Sequence, residues 1–109
     1  MTRRFFIILL FFSYFFTLSC AGVENLKASL PIKVACVGNS ITYGSGLANR
    51  ETESYPARLQ EMLGNDYDVR NFGRPGATLL RKGHRPYIQQ KEYANAKVFA
   101  SDFVVIHLC

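Results

Sequence analysis

The chain has no Cys-x-x-Cys pair and no Cys/His spacing of the kind that holds zinc. Its three cysteines form no framework: Cys20 lies in an N-terminal apolar run, Cys36 within a strand-like run, and Cys109 at the last position. A zinc-stapled or disulfide-stapled mini-domain is therefore excluded, and Cys36 reads as a small core residue. No run of five or more like charges occurs, which removes the acidic or basic tail as a functional device. Gly38 and Gly44 stand six apart, but no Gly-Lys-Ser/Thr follows, and Gly-x-Gly-x-x-Gly is absent. Phosphate-loop and dinucleotide signatures are excluded with them. There are no internal repeats, and no low-complexity tract beyond the Phe-rich start.

What is present fits at most one small domain: 109 residues, 49% hydrophobic and 19% charged. The first twenty or so residues stand apart from it. Thr2-Arg3-Arg4 is a short basic segment, and Phe5 to Leu18 is an almost unbroken apolar run. That run suits a signal-peptide core and falls short of the roughly twenty residues that span a bilayer. Ser19-Cys20-Ala21 supplies small residues for cleavage after Ala21, with lipidation at Cys20 as the alternative fate. The expectation is export (periplasmic, secreted or lipid-anchored) with no stable transmembrane span after cleavage. Of 13 Lys and Arg, Arg3 and Arg4 belong to this leader; the remaining 11 face 8 Asp and Glu, a mild excess of +3. Arg81-Lys82-Gly83-His84-Arg85 is the only basic cluster. It reads as a solvated loop, so no nucleic-acid partner is expected.

After a linker over 22–31, Ile32 to Val37 reads as a buried strand. Gly44-Ser45-Gly46 opens a loop to about Glu53. Ser54 reads as an N-cap with Pro56 in the first helical turn, and Leu59, Met62 and Leu63 give the apolar stripe of a helix that Gly64-Asn65 ends. Tyr67 to Asn71 is a second strand, Phe72 to Gly76 a glycine-proline loop, about Tyr87 to Phe99 a second helix, and Phe103 to Leu108 a third strand. Alternation of this kind with long connections implies parallel pairing and an α/β architecture. Three strands leave Phe103 to Leu108 as an open edge.

Ser40 follows the first strand directly, inside Gly38-Asn39-Ser40-Ile41-Thr42. Reactive groups collect at the carboxyl ends of parallel strands, which makes Ser40 a candidate nucleophile. By itself a serine there also suits a turn or an N-cap. The second motif, Asn71-Phe72-Gly73-Arg74-Pro75-Gly76, changes the weighing. Together, in this order, the two resemble blocks I and II of the SGNH (GDSL-type) hydrolase family, with Asn39 where the family has Asp. The likeness covers almost all of 32–109. Val104 to Leu108 is similar to the strand before block III, and Cys109 falls where that block's glycine stands. Within the family the likeness reaches the sialate O-acetylesterase and acetylxylan esterase branches.

The resemblance implies a flavodoxin-like three-layer α/β/α fold with a parallel sheet, of which 32–109 is the N-terminal portion. The family's block III Asn-Asp does not follow the third strand and its Asp-x-x-His does not occur, so the domain is expected to be truncated. The resemblance further implies a serine esterase acting on small-molecule or carbohydrate esters, with no cofactor and no metal. Ser40 would be the nucleophile, the N–H groups of Ser40 and Gly76 the oxyanion-hole donors, and Asn39, Asn71 and Gly73 supporting residues. Asn39 cannot ionise but can still hold the turn. Gly76 lacks a Cβ, so its backbone can approach a ligand and adopt a positive φ. Of the two histidines, His107 reads as a packed or rim residue and His84 as solvated. Tyr43, Arg50 and Tyr55 could line a substrate mouth. The alternatives are an inactive truncated fragment or a non-catalytic carbohydrate-binding surface protein. Oligomeric state is not legible in the sequence.

Overall fold

The strand β1, Ile32–Gly38, is the centre of a three-stranded sheet. In the computed structural model, which describes residues 30–109, it pairs in parallel with β2, Tyr67–Gly73, on one side and β3, Phe103–His107, on the other. The expected leader over 1–21 with Cys20, and the expected linker as far as residue 29, lie outside the described residues. β1 is apolar almost throughout because both its faces are covered, and from Val34 onward every residue is buried.

Four helical segments join the strands. Two single turns, α1 (Ser40–Tyr43) and α2 (Arg50–Glu53), precede α3 (Tyr55–Leu63) and a 3-10 turn at Gly64–Asp66. Between β2 and β3 come a 3-10 turn at Tyr87–Gln89 and α4, Lys91–Phe99. Ala35 and Val37 meet Ala77, Tyr87 and Phe99 on one face of the sheet. Cys36 and Val34 alternate to the other face, where Cys36 meets Tyr55 at the start of α3. Helices thus cover opposite faces, giving the α/β/α layering of a flavodoxin-like arrangement, as expected. Among the described residues no helix is long and apolar enough to cross a membrane.

Several boundaries differ from the sequence expectation. β2 continues two residues past Asn71, because its register with β1 holds until Gly38 faces Gly73. The expected loop to Glu53 contains α2, whose Asn49 side chain caps Glu51 N–H at 3.1 Å. Ser54 occupies the N-cap position of α3 without a capping hydrogen bond and is 2% exposed. Pro56 has removed one of the N–H groups it would have served. Met62 is 83% exposed, since it lies about 120° round the helix from the buried Pro56. The second helix begins at Lys91 rather than Tyr87, because Gln90 is extended (ψ 151). β3 ends at His107, one residue early.

Candidate functional site

The sheet order is β2-β1-β3, so the chain leaves β1 toward one edge and then crosses to the other. The gap between β1 and β3 is therefore a topological switch point, where helices depart to opposite faces and a crevice opens at the strands' carboxyl ends. Ser40 stands at that end of β1, as the first residue of α1. Asn39 fixes the approach. Its N–H donates to the His107 carbonyl at 3.2 Å, its Oδ1 accepts Ile41 N–H at 3.1 Å, and its amide nitrogen reaches Cys109 Sγ at 3.6 Å. The neutral amide at position 39 thus acts as cap and cross-tie.

A second loop leaves the same end of the neighbouring strand. Arg74 N–H donates to the Gly38 carbonyl at 2.8 Å, so the exits of β1 and β2 are tied one residue beyond their last pair. Ser40 lies two residues past Gly38, and Gly76 two residues past Arg74. Asn71 braces both. Its amide donates to the Thr42 carbonyl at 2.7 Å and to the Tyr43 carbonyl at 3.5 Å, while its Oδ1 accepts Gly73 N–H at 2.9 Å. Gly73 is required by close approach, since a Cβ there would run into the Tyr43 backbone. Gly76 has φ 75, the left-handed conformation that glycine adopts without strain. Ala77 N–H donates to the Arg74 carbonyl at 3.1 Å, which closes Arg74-Pro75-Gly76-Ala77 as a type II turn.

Among the described residues, the backbone N–H groups of Ser40 and Gly76 have no hydrogen-bond partner, and neither has Ser40 Oγ. The site therefore offers two free backbone donors and a half-buried hydroxyl. His84 and His107 are both exposed, and neither is hydrogen-bonded to Ser40. Among the described residues no group of three or more His, Cys, Asp or Glu could hold a metal ion.

Of the residues read as a substrate mouth, Tyr55 turns inward: its hydroxyl stands 3.3 Å from Thr42 Oγ1 and also meets Cys36. Burial, the larger influence, pushes the Cys36 thiol up despite the opposing Tyr55 hydrogen bond, so the thiolate is disfavoured. Arg50 lies over the Tyr43 ring at 3.9 Å from its centre, a stacked pair beside α1. Two residues escaped the sequence reading. Thr42 is fully buried beneath the turn (0% exposed). Arg85, counted in a solvated basic cluster, is half-buried and donates to the Pro75 carbonyl at 2.8 Å, while Arg81, Lys82 and His84 are exposed. The Pro86-Tyr87 pair behind it, buried in the core, was the available signal.

No protein-family model matches the chain, and no solved structure matches it. Among curated proteins, 77 residues are 48% identical to an acetylxylan esterase of Xylanibacter ruminicola. The match takes in 71% of this chain and spans 16% of the relative's length.

Proposed function

We propose that residues 32–109 form the nucleophile-bearing N-terminal part of an SGNH-type serine ester hydrolase that removes acetyl groups from O-acetylated carbohydrate. The observation that carries this reading is that the N–H groups of Ser40 and Gly76, in the loops at the tied ends of neighbouring strands, and the Ser40 hydroxyl have no hydrogen-bond partner among the described residues. The 48% identity to an acetylxylan esterase supports the acetyl ester as substrate class. In this reading Ser40 Oγ attacks the acyl carbon and passes its proton to a histidine base, which residues 30–109 do not bring to it. The oxyanion is met by the two N–H groups. Its collapse breaks the ester C–O bond and expels the sugar hydroxyl, which takes the proton held by the histidine, and water then releases acetate from the acyl-serine. This route uses neither a metal nor an organic cofactor. Asn39, Asn71 and Gly73 hold the two loops without touching substrate. With its leader, the protein acts outside the cytoplasm, either released after Ala21 or anchored through Cys20.

The test is hydrolysis of 4-nitrophenyl acetate and release of acetate from acetylated xylan by the hydrolase that carries residues 32–109 together with its histidine base, compared between wild type and Ser40→Ala. The substitution is expected to lower kcat at least about a thousandfold with thermal unfolding unchanged. Equal turnover by the two proteins would remove Ser40 as nucleophile.

One observation favours a second reading: among the described residues Ser40 Oγ lacks any histidine partner. A non-catalytic carbohydrate-binding protein, or an inactive fragment, follows from it. The binding form predicts saturable calorimetric binding of acetylated xylo-oligosaccharide with no acetate release.

A further inference from the structure

The N–H of Gly76, without a partner among the described residues, belongs to the same peptide unit as the Pro75 carbonyl, and that carbonyl is the atom Arg85 holds at 2.8 Å. We infer that Arg85 is a positioning residue that locks the Pro75–Gly76 peptide in one orientation and so presents the Gly76 N–H to the site.

A trans peptide is planar, with its C=O and N–H pointing in opposite directions. Gripping the oxygen from one side therefore fixes the N–H on the other. The peptide in question is the central one of the Arg74–Ala77 turn, and its orientation is what separates a type II turn from a type I. Gly76, at φ 75, holds the type II form, in which Pro75 takes the position its ring favours. Glycine makes both forms accessible, so the choice between them rests on whatever holds the carbonyl. The Arg85 guanidinium does this at close quarters: a Cβ on Gly76 would lie 3.0 Å from its Nη1 and 3.7 Å from its Cζ.

The grip is itself anchored. Thr78 N–H donates to the Arg85 carbonyl at 2.9 Å, and Tyr87 N–H donates to the Thr78 carbonyl at 2.9 Å. The Tyr87 hydroxyl donates to the Phe72 carbonyl at 2.7 Å, near the end of β2. The 85–87 strap thus holds one carbonyl on each side of Gly73. A cation on the carbonyl also draws electron density from the amide, which makes its N–H a better donor. The catalytic half of this inference rests on the esterase reading, whereas the conformational half does not.

The experiment uses Arg85→Gln, Arg85→Lys and Ser40→Ala in the hydrolase that carries residues 32–109 together with its histidine base, with two readouts. The first is the nuclear Overhauser effect between Pro75 Hα and the Gly76 amide proton, strong in a type II turn and weak in a type I. The second is kcat and KM on 4-nitrophenyl acetate. Arg85→Gln is expected to lose the strong effect and to lower kcat about tenfold with KM unchanged, as for an impaired oxyanion donor. Arg85→Lys, which keeps a charged donor, is expected to restore both. A strong effect that persists in Arg85→Gln overturns the lock. A lost effect with wild-type kcat, alongside an inactive Ser40→Ala, overturns the presentation of Gly76 and leaves the serine esterase standing. Full turnover by Ser40→Ala ends the esterase reading and the catalytic half with it; the proton effect still decides the lock.

Discussion

The two outer strands of the sheet carry the same kind of ladder to β1 and are finished in opposite ways. On β2 the exposed backbone is occupied. Gln60 of α3 accepts Val69 N–H at 2.7 Å and donates to the Tyr67 carbonyl at 2.9 Å, so one amide takes the place of a neighbouring strand. Asp68 and Arg70 add a 2.9 Å ion pair along the same strand. On β3, Phe103, Val104, Val105 and Ile106 are between 39% and 65% exposed, and no comparable cover exists among the described residues. Charge and side-chain cover are the usual means of blunting an edge strand, and among the described residues β3 has neither. The contrast extends to the site: the tightest ties run between the exits of β1 and β2, through Arg74, Asn71 and Gly73. Most of the ties that position the candidate site therefore lie in the β1–β2 half, with Asn39 adding the link to β3.

That contrast is broken most forcefully at Gly73. A methyl group there meets the backbone of Thr42 and Tyr43, which cannot swing aside as a side chain would. Gly73→Ala is expected to cost about 3 kcal/mol or more, and to lower Tm by about 10 °C or more. Thermal unfolding followed by circular dichroism measures it. A Tm within 2–3 °C of wild type, on the same scale of about 4–8 °C per kcal/mol, would mean that the two exits are not held together as described.

How much of this was legible follows the range of the interactions involved. β1 could be read because a covered parallel strand needs a continuous apolar run, and Ile32 to Val37 is one. The Gly-Asn-Ser turn and the helix between Pro56 and Gly64 rest on local rules and stand where those rules put them. The two motifs marked the loops, but nothing in them fixed the order β2-β1-β3, which depends on how crossovers pack. Arg85 was misread for the same reason. Its neighbours in sequence are solvated, and its partner, Pro75, is ten residues away. Met62 shows the limit of a stripe: the spacing from Leu59 is helical, yet the buried face is set by Pro56 and β2, and Met62 points away from it.

A smaller effect is expected at Tyr87, which belongs to the strap on the tied side. Burial, then the nearby Glu92 carboxylate, raises its phenol from the ordinary 10.0 to about 12. Tyr87→Phe leaves the Phe72 carbonyl without its donor and is expected to cost about 1–2 kcal/mol at neutral pH. The difference from wild type should then change with pH. Below pH 10 both folded and unfolded wild type keep the proton. Between 10.0 and about 12 the unfolded chain loses it first, so wild-type stability falls as pH rises. The advantage of wild type over Tyr87→Phe narrows across that window. Urea titrations of both proteins at pH 8, 10 and 11 measure the gap; a gap that stays constant would deny the phenol its role as a neutral donor.

The smallest effect on stability is expected at the other edge, and its smallness is the point. Ile106 pairs with Val37 in register yet is 65% exposed, and with Val104, Leu108 and Tyr87 it lines an apolar groove of about 390 Å³. A lysine there can lay its stem along the groove and keep its charge in water. Ile106→Lys should therefore change stability by no more than about 0.5 kcal/mol, as substitutions outside a packed core do. Its effect belongs in a different observable. An uncharged edge of β-branched residues invites pairing with another chain, and one charge on it opposes that pairing. If no other part of the protein covers this edge, light scattering is expected to rise with concentration in the wild type and to stay flat in Ile106→Lys, while the two unfold at the same urea concentration. A loss of more than about 1 kcal/mol, beyond what an exposed position costs, would mean that this face is packed in solution. The two edges would then be finished alike, and the contrast between them would fall.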